Sequence, residues 1–375
     1  MNFKNAMLYT ENFRFEKGCF SVEDGRFCNV SARELPDAVD LGGAYVIPGL
    51  IDVHTHGNSG ADFSDGDGVG LEKIATYLAK NGVTSFAPAS MTLPYETLEK
   101  AFATARTFVD AAHSDKAALR GIQMEGPFFS EKKKGAQNGA YLRLPDFAAF
   151  EKLNRDCGGL VKIVDVAPEL EGAEEFVRRA KDICTVSMAH TDADYDAAVC
   201  AISAGATHLT HLFNAMPSLH HRKPGVIAAA AEAEQVSAEI ISDGQHVHPA
   251  MVRLAFRLFG AARMVLISDS LRCCGMPDGE YELGGQQVYL KGGVARLVCD
   301  GTIAGSATNL YDCMLRAISF GIPKEDAVRA ATYNPAHQLG CLREVGSIAD
   351  GKRADFVVCD AALERKAVYL GGKKL

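Results

Sequence analysis

The chain has 375 residues, 47% of them hydrophobic and 23% charged, close to the soluble globular averages of roughly 45–50% and 25%. That length suits one large domain with a small companion and excludes a short peptide module or a disulfide-stapled miniprotein. A formal net charge of −8 repels nucleic acid and anionic membranes, so neither is an expected partner and an anionic substrate would need a local cationic pocket.

From the first residue, short β-type runs alternate with turn residues: Phe13, Phe15, Phe20, Val22, Phe27 and Val30 recur without a helical period. The stretch near the other end reads the same way, with Ala354 to Cys359 as a strand and Gly371-Gly372 as a turn. Residues 1–47 and 340–375 are therefore expected to form one discontinuous β domain bracketing a larger unit over 48–339.

Inside that unit a pattern repeats: an apolar run, a polar residue at its C-terminal end, a loop, then an amphipathic helical segment. The runs are Tyr45 to His54, Val83 to Ala89, Leu119 to Glu125, Leu160 to Ala167, Cys184 to His190, Thr207 to His211, Ala238 to Asp243 and Met264 to Asp269. Helical periods fall at Leu71 to Lys80, Tyr95 to Ala112, Ala173 to Asp182, Tyr195 to Ala204 and Pro249 to Phe259. This alternation predicts an α/β fold, a (β/α)8 TIM barrel whose chemistry sits at the C-terminal strand ends. A doubly wound open sheet is the alternative, though no GxGxxG turn follows the first run. Tyr281 to Cys299 reads as a β insertion, and Leu310 to Gly321 and Lys324 to Tyr333 as closing helices.

The eleven cysteines form no CxxC pair, Met1 to Thr10 lacks a basic flank with an apolar core, and no apolar run reaches a membrane span of about 18–20 residues. A reducing cytoplasmic setting is expected.

At the strand ends, His54 and His56 stand two residues apart and can aim two imidazoles at one point. Glu125 follows Ile122 and Met124, and its burial calls for a compensating cation or metal. His190, His211 and Asp269 each end an apolar run in the same way. Any one of these could be a rim salt bridge, a core histidine or a loop cap; their shared position favours a metal site. Asp269 beside a metal-activated water could act as general base and acid. His208, three residues before His211, would face the opposite side of an ordinary strand and reads as structural.

The segments PGLIDVHTHG (48–57), MEGPF (124–128), AHTDA (189–193), THLFNAM (210–216), ISDGQHVHP (241–249) and ISDS (267–270) together resemble the amidohydrolase superfamily. Within it they are similar to the N-acetylglucosamine-6-phosphate deacetylases, over nearly the whole chain. The resemblance implies a (β/α)8 barrel with a small β-sandwich built from both chain ends. It assigns the principal divalent metal to Glu125, His190 and His211, matches His54 and His56 to a second-metal pair found in some members, and makes Asp269 the general base and acid. One or two cations per subunit follow, zinc first among zinc, iron, manganese and cobalt; Lys162 lies too early in its run to act as a bridging carboxylated lysine.

Sugar and phosphate contacts implied by the same blocks are Ala136, Gln137, Asn214 and Ala215, with Arg222 and His246 as phosphate binders and Ile303, Ala304 and Gly305 as a closing loop. Gln137 stands where many relatives have His, and it can donate a hydrogen bond but not carry a charge. Read from its own surroundings, Arg222 is a solvated loop charge. The resemblance implies a homodimer acting on a small sugar phosphate, with deacetylation of N-acetyl-D-glucosamine 6-phosphate as the reaction. The galactosamine epimer, another metal amidase, or a non-catalytic sugar-phosphate-binding protein are the competing readings.

Overall fold

The computed structural model describes residues 1–31 and 36–375, so 32–35 of the N-terminal segment lie outside the described residues. The apolar runs become parallel strands at Leu50–Thr55, Val83–Pro88, Ile122–Met124, Val161–Val166, Thr185–Met188, His208–Leu209, Ser237–Ile241 and Met264–Ile267. Neighbours pair in sequence order, and the second meets the third through a parallel bridge between Ala89 and Gln123. The last strand returns to the first where the Asp269 N–H donates to the His54 carbonyl at 2.9 Å. The architecture is α/β of the TIM-barrel type, not an open doubly wound sheet.

Both strand faces are buried, which is why these strands read as near-continuous apolar runs. Ile51, Val53, Ile163, Ile241, Val265 and Ile267 fill the interior and pack on Leu339 and Val345, while Phe86, Val164 and Leu266 belong to the core shared with the helices. Helices at Gly68–Lys80, Tyr95–Asp110, Ala173–Ala180, Tyr195–Ala204 and Pro249–Phe259 fall where the period placed them. The first starts earlier than its apolar period because Asp67 caps it, accepting from the Val69 and Gly70 N–H groups. Phe147–Asp156 and Gly225–Glu232 are further crossover helices.

Two of the runs are divided. Tyr45 to His54 splits at Gly49 into Tyr45–Pro48, which joins the terminal sheet, and Leu50–Thr55, which opens the ring. A Cβ at Gly49 would lie 2.1 Å from Thr84 Oγ1, so only glycine passes there. Leu119 to Glu125 likewise becomes Ala118–Leu119, paired with the second strand, and Ile122–Met124, paired with the fourth.

The two chain ends build one eight-stranded sheet in which Phe356–Cys359 pairs with Tyr45–Pro48, then Asn2–Tyr9, Phe15–Glu23 and Arg26–Ser31 follow. This sheet curls back on itself: the Phe27 N–H donates to the Lys352 carbonyl and the Ala354 N–H to the Gly25 carbonyl, both at 2.8 Å. The Phe27 and Phe356 rings consequently lie 5.8 Å apart across four strand intervals, a span of about 19 Å in a flat sheet. The insertion is a three-stranded antiparallel sheet, Gly279–Leu283, Gln286–Lys291 and Val294–Leu297. The closing helices run Leu310–Ser319, Lys324–Ala331 and Tyr333–Gln338. No described helix is long and apolar enough to cross a membrane.

Candidate active site

The six polar residues that end the strands converge on one point at the C-terminal mouth. Glu125 Oε1 lies 3.1 Å from His190 Nε2, 3.2 Å from His211 Nε2 and 3.7 Å from His54 Nε2. Glu125 Oε2 is 3.3 Å from His56 Nε2, and Asp269 Oδ1 is 3.2 Å from the same nitrogen. All six residues are buried.

The backbone turns sharply to bring three of them inward. His190, His211 and Asp269 have φ of 43°, 31° and 48°, a left-handed conformation costing of order 1–3 kcal/mol per non-glycine residue and concentrated at functional sites. Strand alternation is abandoned there, so His208 and His211 both turn into the ring although they stand an odd three positions apart. His208 sits fully buried below the mouth, its Nε2 3.1 Å from Glu239 Oε1, and takes no place among the converging nitrogens.

Outer partners fix which ring nitrogen is bare. His190 Nδ1–H donates to the Lys133 carbonyl at 2.9 Å, and His211 Nδ1–H to the Asn214 carbonyl at 3.2 Å. Their Nε2 atoms then face each other at 3.1 Å with Glu125 Oε1 beside both. Three electron-pair donors this close repel one another unless a cation lies among them. His54 Nε2, buried and without a hydrogen-bond partner among the described residues, points the same way. Nitrogen and carboxylate donors in a closed pocket suit zinc or a neighbouring first-row divalent metal, and the two groups able to hold an ion, His54–His56–Glu125 and Glu125–His190–His211, share Glu125.

Burial opposes ionisation of Glu125; when the surrounding imidazoles are protonated, hydrogen bonds from His190 and His211 and the charges of His54 and His56 outweigh it and hold the carboxyl well below its ordinary value. Asp269 follows the same balance: burial raises it, His56 and His54 lower it further, and it stands ionised as a base must.

A cavity of about 180 Å³ opens over this centre. Ala136, Gln137, Asn214, Ala215, His246, Ile303, Ala304 and Gly305, the contacts that the resemblance implies, all line it. Gln137 Oε1 accepts the Thr92 N–H at 2.7 Å, and its Nε2 donates to Glu125 Oε2 at 2.7 Å. One amide hydrogen of Gln137 is thus committed to orienting Glu125. Arg222 is not brought in: it is exposed on a turn bridged by His220 and Lys223, beside a separate cleft lined by Asp194 and Pro217. Sequence reasoning missed the walls Met91 and Leu283, which carry no local signal, and Glu239, a charge inside the apolar strand Ser237–Ile241.

His246 closes the far wall. Both its nitrogens face acceptors: Nδ1–H donates to Asp243 Oδ2 and Nε2–H to the Ala304 carbonyl, each at 2.8 Å. Burial lowers an imidazole, but the Asp243 carboxylate more than offsets it and holds His246 above its ordinary value of 6.5. With the folded-state pKa raised, the contribution is complete below the unfolded value and is lost as pH rises through the folded one. Hydrogen exchange of the 302–305 loop should therefore quicken on the alkaline side beyond its intrinsic pH dependence. A His246→Gln variant, unable to change charge, should lack that extra step.

The amidohydrolase family pattern matches residues 45–374. N-acetylglucosamine-6-phosphate deacetylase of Bacillus subtilis (strain 168) is 37% identical over 373 residues, covering 96% of this chain and 93% of that one. N-acetylgalactosamine-6-phosphate deacetylase of Escherichia coli O157:H7 is 33% identical over 328 residues, covering 87% and 86%. A solved structure of the Mycobacterium smegmatis N-acetyl-D-glucosamine-6-phosphate deacetylase, an aspartate-to-alanine mutant in complex with N-acetyl-D-glucosamine 6-phosphate, superposes with a TM-score of 0.93 at 32% identity. It spans 100% of this chain and 98% of its own. The motifs, the converging donors and these likenesses agree: the chain belongs to the amidohydrolase family and, within it, to the N-acetylglucosamine-6-phosphate deacetylases.

Proposed function

We propose that this chain hydrolyses the acetamide of N-acetyl-D-glucosamine 6-phosphate to D-glucosamine 6-phosphate and acetate. The observation that carries the reading is Asp269, which lines the cavity with its Oδ1 3.2 Å from His56 Nε2, beside the two donor groups that share Glu125. Glu125, His190 and His211 would hold one divalent cation and His54, His56 and the shared Glu125 a second, zinc being the first candidate. Bound there, such a cation supplies Lewis acidity at neutral pH. Asp269 accepts a proton from the attacking water as its oxygen adds to the acetamide carbonyl, and delivers that proton to the leaving amine. Gln137 keeps its second amide hydrogen for the substrate carbonyl.

His246 is read at the phosphate end, where its Nε2–H would have to leave the Ala304 carbonyl to reach an anion while Nδ1–H stays with Asp243. Arg222, turned away from its own cavity, fits a homodimer in which it reaches the cavity of the other copy. Residues 1–47 and 340–375 are read as a separate β-sandwich domain, supported by the curled terminal sheet; Cys341, Leu342 and Val345 nevertheless pack on the barrel interior, so the linker belongs to 48–339 in energetic terms. Eleven free cysteines support a reducing cytoplasmic setting.

Acetate release tests the reading. The glucosamine 6-phosphate should be the best substrate, with the unphosphorylated sugar weaker by about 10–100-fold for each charge-assisted hydrogen bond that it cannot make. The galactosamine epimer is the second reading, favoured by the Escherichia coli relative; its faster turnover would transfer the assignment to it. Equal hydrolysis of phosphorylated and unphosphorylated sugar, or preference for an N-acetyl amino acid, would overturn both.

A further inference from the structure

Glu239 lies in the middle of the strand Ser237–Ile241 with no exposed surface. A carboxylate there is strongly unfavourable unless donors surround it. Its Oε1 accepts from His208 Nε2–H at 3.1 Å, and its Oε2 accepts from His54 Nδ1–H at 3.0 Å and from the His211 main-chain N–H at 3.2 Å. His208 is itself fully buried, and its other ring nitrogen has no hydrogen-bond partner among the described residues. The contact with Glu239 is the one polar interaction that this ring makes among those residues.

The converging histidines therefore differ in what stands behind them. His190 and His211 donate to neutral main-chain carbonyls; His54 donates to a carboxylate. A carboxylate fixes the Nδ1–H tautomer and raises the basicity of the opposite nitrogen more than a carbonyl does. That opposite nitrogen is the unpartnered His54 Nε2, with Glu125 Oε1 and Asp269 Oδ1 each 3.7 Å away. We propose that Glu239, anchored by His208, is a positioning residue that makes the His54–His56 half of the centre competent to bind a second cation. The inference rests on the two-cation reading above.

The test is a zinc titration of the metal-free full-length protein, monitored by competition with a chromophoric chelator and by metal analysis. Wild type should bind two equivalents. Glu239→Gln keeps the size of the side chain but not its charge, and should weaken the second equivalent by about 10–100-fold while leaving the first unchanged, which also shows that the variant is folded. His54→Asn should lose the second equivalent in the same way, and adding Glu239→Gln to it should cost little more, because the two act through one interaction. Binding of two equivalents by Glu239→Gln with wild-type affinities would overturn the proposal and leave the two-cation reading intact. So would equal weakening of both equivalents, or full additivity in the double variant. A wild type that binds a single equivalent would overturn the two-cation reading and the proposal with it.

Discussion

Asp269→Asn is expected to lower kcat by about 10²–10⁴-fold, the usual contribution of a positioned proton-transfer group, while the protein still binds its metal. The asparagine fills the same space at the end of the eighth strand, and Glu125, His190 and His211 do not depend on it for their mutual geometry. What it cannot do is accept a proton. Burial raises the Asp269 carboxyl, and His56 and His54 bring it below its ordinary value, so the wild-type group is a base throughout the neutral range. Steady-state acetate release paired with metal analysis reads both halves of the prediction. Undiminished turnover would remove Asp269 from the chemistry, and loss of metal would make it a ligand instead.

Glu125→Gln should act in the opposite way, losing metal first and activity as a consequence. Both candidate ion groups use this one carboxylate, and it touches His190, His211, His56 and Gln137 within 3.3 Å. A glutamine there removes the negative charge and turns an amide hydrogen toward either the bare imidazole nitrogens or the Gln137 amide, which already donates in that direction. The drop in metal affinity should exceed the 10–100-fold that the loss of an outer partner typically brings. Metal content after exhaustive dialysis measures it, and added metal should restore only part of the activity. Retention of full occupancy would mean that the carboxylate bridges nothing.

Much of this molecule is readable along the chain because the relevant periodicities are local. Apolar runs buried on both faces, each ending in a polar residue before a loop, specify parallel strands and the mouth at which their ends gather. His54, His56, Glu125, His190, His211 and Asp269 were legible for that reason. The divisions at Gly49 and within Leu119 to Glu125 were not, since a side chain from a neighbouring strand decides them: Thr84 excludes any Cβ at Gly49, and Lys162 Cγ would stand 2.4 Å from one at Gly121.

The composition and strand pattern by themselves determined an acidic α/β chain with metal-type side chains collected at one end. Tertiary structure alone decided how those side chains are tuned. It turned His190, His211 and Asp269 into left-handed backbone, and it kept Arg222 out of the cavity that opens over those side chains. It also placed Glu239 behind His54 across 185 residues of chain. Which imidazole nitrogen is bare depends on the hydrogen bond made by the other one, and for His54 and His190 that partner, Glu239 or the Lys133 carbonyl, is brought up from a distant part of the chain, which no local pattern encodes.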